Sequence, residues 1–349
     1  MLLELINATL RKLPLKEEVF DGATEADWQR CFDIALQQNV LAMTFPAMSS
    51  LPKELRSSFT LWSKWMAYTQ SIAEQSQYKW QVVEKMGSWL AEDGLSTTIL
   101  KGFSLSALYP NPNLREFSDI DIFSGENYEV VNACFAKHGV KVDSEDGHHA
   151  YLKVNGIAIE HHFAFSNTKV KDGLVGPEEE LQHLAVINHQ PTSILGINYP
   201  NPVFTALFVG WHAYEHFLQE KIELRHVIDW ALSLKQLSEQ ETETLNEIRR
   251  DVGWGEFCDT LTDIVIHQLG LPQEWFHQEE LKYLDQEERV WNDIINSPRT
   301  PQSKSSYFRR IYIAKRMLNN SWKFKDYSNM SAIQFIYKET VGYFKTKKF

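Results

Sequence analysis

Two aspartates, Asp119 and Asp121, lie on either side of one isoleucine in the stretch Ser-Asp-Ile-Asp-Ile-Phe. This alternation predicts a β-strand, in which every second side chain projects from the same face. Both carboxylates should therefore stand side by side while the isoleucines are buried. Because like charges at that separation repel each other, a cation between them is the expected partner. A hard divalent ion, Mg²⁺ or alternatively Mn²⁺, suits carboxylate oxygens and is the predicted cofactor.

A third acid, Glu160, lies on the second of two alternating runs joined by Asn155-Gly156. Asn-Gly between alternating apolar runs is the strongest short hairpin signal in a sequence. Glu160 and His162 share one face of the predicted strand, and burial of an acid there needs a reason. A role as third metal ligand supplies one. Of the hairpin histidines, His162 is favoured to reach a cleft, and most of the others are expected to be partly exposed: His148, His149 and His161.

These residues form part of a longer pattern that resembles the nucleotidyltransferase superfamily, specifically its bacterial "uncharacterised nucleotidyltransferase" family. The resemblance covers roughly residues 82–237. It is carried, in chain order, by LKG at 100–102, Arg115, SDIDIF at 118–123, IEHHF at 159–163, and then H-x-x-x-H and L-R-x-x-x-D.

The resemblance implies an activity: transfer of a nucleoside monophosphate from a nucleoside triphosphate, ATP by default, to an unidentified acceptor, with release of pyrophosphate. It makes Asp119, Asp121 and Glu160 the metal-binding and catalytic residues. Ser118 either contacts phosphate or caps the strand. The nucleotide-binding residues that the resemblance implies are Lys101, Gly102, Ser104, Arg115 and Ser118.

The segment Trp-His-Ala-Tyr-Glu-His contains His212 and His216, which share a helix face because they are four residues apart. With Glu215 it spells His-x-x-Glu-His, an inverted zinc-protease motif, so a zinc hydrolase is a rival interpretation. The family resemblance instead groups both histidines with Arg225 and Asp229 in a polar seam of a helical domain. That seam either faces the nucleotide cleft or ties two helices together, and the structural role is favoured.

The composition is that of an ordinary soluble globular protein, with 43% apolar and 23% charged residues among 349. A net charge of −11 argues against bulk nucleic-acid binding without excluding a local basic groove. The three widely spaced cysteines predict buried thiols in a reducing compartment. The N-terminal stretch, interrupted by Glu4, is a poor signal peptide. No apolar run approaches the roughly 18 to 20 residues that span a bilayer, so a cytoplasmic protein without membrane contact is expected.

Helical spacing, strand alternation and the resemblance together predict an α+β fold in three parts. An N-terminal helical segment (1–95) precedes a small mixed-sheet nucleotidyltransferase core (96–170), and a C-terminal helical domain (171–349) helps to close the active-site cleft. A non-catalytic module that binds nucleotide or a partner is the second interpretation. The basic, aromatic tail from residue 304 is more simply a solvated helix face than an RNA-binding surface.

Overall fold

The computed structural model describes residues 1–145, 148–165, 177–187, 189–251, 253–277, 284–298 and 306–346. The first and last residues of the basic tail, 304–305 and 347–349, lie outside these ranges. None of the helices in the described part of the chain combines the length and apolar composition that crossing a bilayer requires.

Helices make up most of the fold. Those that precede the sheet in the chain are α1 (Leu2–Arg11), α2 (Glu25–Gln37), α3 (Leu41–Ser50) and α4 (Phe59–Glu92). Those that lie between strands are α5 (Lys101–Ser106), α6 (Tyr128–Lys137) and α7 (Glu178–Val186). Those that follow are α8 (Pro202–Gln219), α9 (Leu224–Lys235), α10 (Glu239–Asp251), α11 (Gly255–His267), α12 (Leu284–Asn296), α13 (Ser306–Asn319), α14 (Ser321–Tyr327) and α15 (Ala332–Thr346).

The described strands form one seven-stranded sheet in the order β3-β4-β5-β2-β1-β7-β6. Their bounds are β1 (Thr97–Ile99), β2 (Ile120–Phe123), β3 (Val142–Glu145), β4 (His149–Val154), β5 (Ile157–His162), β6 (Gln190–Pro191) and β7 (Ile197–Tyr199). The sheet is mixed, since β2–β5 and β1–β7 are parallel pairs and the other neighbours are antiparallel. The predicted α+β fold with helical flanks is confirmed. The sheet also takes in β6 and β7, which follow the predicted 96–170 core.

The β4–β5 hairpin turns at Asn155 and Gly156, whose φ angles are +50° and +82°. Two consecutive positive φ angles are what a type I′ turn requires, and asparagine and glycine tolerate them best. The turn fixes the register of the two strands, so that His149 faces His162 and Tyr151 faces Glu160.

The helix α4 joins the helical part of the fold to the sheet. Ser58 caps its first turn by accepting a hydrogen bond from the Leu61 N–H at 3.3 Å. Trp65, in the first half, is buried in the core that the N-terminal and C-terminal helices share. Val83 and Met86, in the second half, are buried beneath the sheet with the isoleucines of β2 and β5. This continuous helix therefore holds the sheet at a fixed position against the helices.

The N-terminal and C-terminal helices also contact each other directly. The Gln38 side chain donates to the Ile294 carbonyl at 2.9 Å and accepts from the Leu224 N–H at 2.9 Å. Because Gln38 is fully buried, both hydrogen bonds satisfy polar groups that water does not reach. The helices that precede the sheet in the sequence therefore pack directly against those that follow it.

Candidate active site

Adjacent parallel strands bring two of the predicted acids together. Asp121 on β2 is the register partner of Glu160 on β5. Asp121, Glu160 and His162 each offer one ligand atom, and these three atoms all lie within 4.8 Å of one another. Asp119 immediately precedes β2 and is partly exposed. Its charge contributes to the raised pKa of Glu160, but no oxygen of Asp119 belongs to this group of three ligand atoms.

The two opposed carboxyl groups differ in protonation. Burial, followed by the negative charge of Asp121, raises the pKa of Glu160 to about 8. Burial alone would also raise the pKa of Asp121, but the charge of Lys101 and a hydrogen bond with His162 hold it well below its ordinary value. Without a metal ion, Asp121 is therefore ionised at neutral pH while Glu160 holds a proton.

Lys101 is the direct counter-charge of Asp121. Its Nζ lies 2.8 Å from Asp121 Oδ1. Lys101 begins α5 with a φ angle of +36°, in a region that side chains other than glycine rarely adopt. Burial would lower the Lys101 pKa, but the charge of Asp121 raises it above the ordinary value. The ammonium group thus occupies the cation position beside Asp121.

Gly102, the next residue, allows a close packing contact. A Cβ atom at this position would lie 2.8 Å from Cδ2 of Phe117, closer than real Cβ contacts. The Gly102 carbonyl accepts a hydrogen bond from Arg115 Nη1 at 2.9 Å. Both contacts hold the start of α5 against the loop that leads into β2, which is a structural reason for glycine here.

The two predicted hydroxyl donors are engaged locally. Ser104 Oγ donates to the Lys101 carbonyl at 3.2 Å, within its own short helix. Ser118 Oγ donates to Asp119 Oδ1 at 3.1 Å and is exposed. Ser118 therefore orients the carboxylate of Asp119, whereas Ser104 hydrogen-bonds to a backbone carbonyl of its own helix.

Arg115 forms a buried, bidentate ion pair with Asp229 of α9. Its Nε and Nη2 atoms lie 2.8 and 2.6 Å from the two carboxylate oxygens. The Tyr109 hydroxyl donates to the same carboxylate at 2.8 Å, and Arg225 Nη1 lies 3.7 Å from it. Arg115 is only 3% exposed, and its third nitrogen donates to Gly102. The guanidinium predicted to meet triphosphate is thus turned to Asp229 and ties the loop before β2 to the helical domain.

His212 and His216 lie side by side on α8, with ring centroids 4.4 Å apart. Burial lowers the pKa of His212 well below its ordinary value and that of His216 to about 4, so both rings are neutral at physiological pH. Lys101 Nζ lies 5.2 Å from the ring centroid of Phe208, which is one turn before His212 and 6.5 Å from its ring, so this face of α8 is near Lys101. Within the described ranges, no third His, Cys, Asp or Glu joins these two in a metal-binding group, so the ligand set of a zinc hydrolase is incomplete.

Lys79, on α4, is a buried lysine near the site that the sequence pattern does not predict. It is 6% exposed, and its ammonium group donates to the Phe117 carbonyl and lies 4.3 Å from the centroid of the Phe117 ring. Burial lowers its pKa, and the charge of Asp119 opposes that shift, so Lys79 lies close to the acids. The residues around Lys79 in the sequence indicate only a long helix, so its burial against Phe117 could not be predicted.

The expectation that most hairpin histidines are partly exposed is wrong. His149, His161 and His162 are 4%, 0% and 1% exposed, and only His148 is intermediate. His161 is buried because it belongs to the core face, where its ring nitrogens lie 2.8 and 2.9 Å from Asn132 Oδ1 and Ser124 Oγ. Asn132 belongs to α6, and the alternation of the hairpin alone could not show that this helix covers His161.

A cavity of about 340 Å³ lies away from the acids, between α1, α3 and residues 109–114. Its lining is mostly apolar and includes no carboxylate. The candidate site is therefore defined by the convergence of charged side chains rather than by this cavity.

A family model places the chain in the nucleotidyltransferase class. The family model described as "Uncharacterised nucleotidyltransferase" matches residues 24–269, which is more than half of the chain. The chain belongs to this family, whose members form a class of enzymes that transfer nucleoside monophosphates. The resemblance stated from the sequence motifs is thereby confirmed.

Solved structures of the antibiotic-resistance factor ANT(2'')-Ia show a partial likeness. Its solution structure is 14% identical, with a TM-score of 0.37, and the match covers 50% of this chain and 93% of that chain. Its crystal structure in complex with adenylyl-2''-tobramycin is 12% identical, with a TM-score of 0.35 and coverages of 49% and 96%. No curated protein matches the chain. Similarities of this size assign no substrate to the chain.

Proposed function

We propose that the protein transfers a nucleoside monophosphate from a nucleoside triphosphate to an acceptor, with the help of a divalent metal ion held by Asp119, Asp121 and Glu160. The observation that supports this most directly is the register of β2 against β5, which sets Asp121 opposite Glu160. Mg²⁺ or Mn²⁺ is the cofactor, and ATP is the first nucleotide to test.

The residues present fit such an ion. Asp121 and Glu160 each offer an oxygen within 4.8 Å of the other, and Asp119 immediately precedes β2, two residues before Asp121. Carboxylate oxygens are the ligands that Mg²⁺ and Mn²⁺ prefer. A bound ion would neutralise phosphate charge and lower the pKa of an acceptor hydroxyl.

Each step of the transfer has a residue to support it. The acceptor oxygen forms a bond to the α-phosphorus, and the bond from that phosphorus to pyrophosphate breaks. Glu160, once ionised, accepts the proton of the acceptor hydroxyl as general base. Lys101 is the nearest cation to Asp121 and turns from it to the triphosphate oxygens. Catalysis is then mainly positioning and charge neutralisation.

The remaining predicted residues position or line the site. Arg115 and Asp229 hold the loop before β2 against α9, and Ser118 orients Asp119. We assign His212 and His216 to the wall of the cleft on α8, where neutral imidazoles can hydrogen-bond to nucleotide or acceptor.

The domain organisation follows from the same proposal. The catalytic core lies near residues 96–170, and helices from 1–95 and 171–349 complete the cleft around it. All three cysteines are free and buried, as expected for a protein of the reducing cytoplasm. Gly102 and Ser104 bring the start of α5 close to the phosphates.

A pyrophosphate-release assay tests the proposal. Purified protein is incubated with each common nucleoside triphosphate, Mg²⁺ or Mn²⁺ and a library of small-molecule, sugar, protein and RNA acceptors. We expect release that depends on metal and acceptor and is lost in Asp121→Asn, whereas Lys85→Met on the exposed side of α4 leaves it unchanged. Nucleotide binding by calorimetry without any release, and unaltered in Asp121→Asn, would instead identify a non-catalytic binding module.

A further inference from the structure

Three histidines lie together at the end of the hairpin, beside the acids. His149 and His162 are register partners in the antiparallel β4–β5 pair, and His148 precedes β4. One nitrogen of each ring lies within 4.8 Å of the other two. The ring centroids are 4.3 Å apart for His148 and His149, and 5.0 Å apart for His149 and His162.

We propose that His148, His149 and His162 bind a divalent transition metal ion of the zinc type through one nitrogen of each ring. Imidazole nitrogens favour Zn²⁺ and its neighbours in the transition series, whereas Mg²⁺ prefers oxygen. The site is therefore chemically distinct from the hard-ion position at Asp119 and Asp121. It does not depend on the proposed transfer reaction.

The carboxylate of Glu160 borders the three histidines. Glu160 Oε1 lies 3.6 Å from His149 Nε2, and Glu160 Oε2 lies 3.8 Å from His162 Nε2. Ligand atoms about 2.05 Å from a tetrahedral zinc ion are roughly 3.4 Å apart. The three histidine nitrogens lie within 4.8 Å of one another, so they would approach by at most about 1.4 Å to reach that spacing.

The surroundings of His162 favour a bound cation. Its Nδ1 atom lies 3.2 Å from the Ala164 carbonyl oxygen and its Nε2 atom lies 2.9 Å from Asp121 Oδ1, so both ring nitrogens face hydrogen-bond acceptors. A neutral imidazole carries one N–H and can donate to only one of these acceptors, so the other contact needs a cation, which is a proton or a metal ion. Donation of the second ring nitrogen to a backbone carbonyl is the usual arrangement of a metal-binding histidine.

The backbone holds the first histidine firmly in this group. The His148 carbonyl accepts hydrogen bonds from the N–H groups of Phe163 and Ala164, both at 3.0 Å. Phe163, which follows His162, and Ala164, whose carbonyl lies next to His162 Nδ1, are therefore both hydrogen-bonded to His148. Ligands with fixed backbones lose little entropy when an ion binds.

Cobalt substitution tests the site. Metal-stripped protein is titrated with Co²⁺, whose visible absorption is intense when the ion is four-coordinate, and Zn²⁺ is then added as competitor. We expect stoichiometric, zinc-displaceable absorption in the wild type. His148→Ala should weaken Co²⁺ binding by at least about tenfold. Even the loss of a residue that only hydrogen-bonds to a metal ligand commonly costs that much. His148→Gln should weaken it likewise, which separates ligand loss from misfolding.

Two controls identify the position of the ion. Asp119→Asn, in the hard-ion site, and His183→Ala, on α7, should retain the cobalt spectrum. The proposal is wrong if the wild type binds neither ion, if His148→Ala and His148→Gln bind as the wild type does, or if Asp119→Asn abolishes the spectrum as fully as His148→Ala.

Discussion

Lys101 Nζ lies 2.8 Å from Asp121 Oδ1, so an ammonium group stands where the proposed chemistry needs a cation. The contact explains how two acids on neighbouring strands coexist in a buried site, since Asp121 is neutralised by Lys101 and Glu160 by a proton. A metal ion has to replace both positive partners. The affinity for metal is thus linked to the movement of one lysine and the release of one proton.

Removal of the ammonium group should strengthen metal binding in the absence of nucleotide. In Lys101→Met, Asp121 loses its competing cation, and we expect Mn²⁺ to bind about tenfold more tightly, which corresponds to about 1.4 kcal/mol. The affinity for nucleoside triphosphate should fall, because Lys101 is also its counter-charge. Calorimetric titration measures both, with Lys85→Met as the control. Weaker Mn²⁺ binding in Lys101→Met would contradict competition between the two cations.

The buried pair of Arg115 and Asp229 should stabilise the fold as a unit. Removing one member leaves an uncompensated buried charge, so Arg115→Met or Asp229→Leu should each lower the free energy of unfolding by about 3–5 kcal/mol. The double variant should lose less than the sum of the two. A double-mutant cycle from urea unfolding measures this coupling. Unchanged stability of Arg115→Met, together with a raised KM for nucleotide, would show instead that Arg115 serves the triphosphate.

The local parts of the site could be predicted from the sequence. Alternation around Asp119 and Asp121 indicates a strand, and Asn155-Gly156 specifies both the hairpin and the face that carries Glu160. These features depend on residues within a few positions of one another, where periodicity and turn chemistry decide the structure.

The partners of these residues could not be predicted in the same way. Pairing of β2 with β5, of Lys101 with Asp121 and of Arg115 with Asp229 depends on tertiary packing between distant segments. The addition of β7 beside β1 has the same origin. The burial of His149 is likewise not indicated by the alternation of its strand.

The stability of the metal-free protein should decrease between about pH 4.5 and pH 8 because of Glu160. Its pKa is about 8 in the folded protein against an ordinary 4.5, so the folded state holds the proton more tightly. This stabilisation is complete below the ordinary pKa and is lost as the pH rises through 8, with a slope of at most about 1.4 kcal/mol per pH unit. Urea unfolding in the presence of a chelator measures it. Glu160→Gln should flatten this decline, and an equally steep decline in that variant would contradict the assignment.

Substitution of Gly102 should disturb the contact between α5 and the loop before β2. The new Cβ of Gly102→Ala would lie 2.8 Å from Phe117, so overpacking should lower the free energy of unfolding by about 1–3 kcal/mol. Gly255→Ala is the matched control, because a Cβ at the start of α11 meets its nearest neighbour at an ordinary 3.4 Å. Thermal or urea unfolding of the two variants compares them, and equal stabilities would show that Phe117 moves aside freely.

The position of the catalytic ion is the most direct test of the account. Crystals soaked with Mn²⁺ and a non-hydrolysable nucleoside triphosphate would give an anomalous difference peak at the metal. We predict a peak within about 2.0–2.6 Å of oxygens of Asp121 and Glu160, with Asp119 beside it and the triphosphate bound to the same ion. A bound triphosphate whose ion contacts neither Asp121 nor Glu160 would contradict the proposed active site.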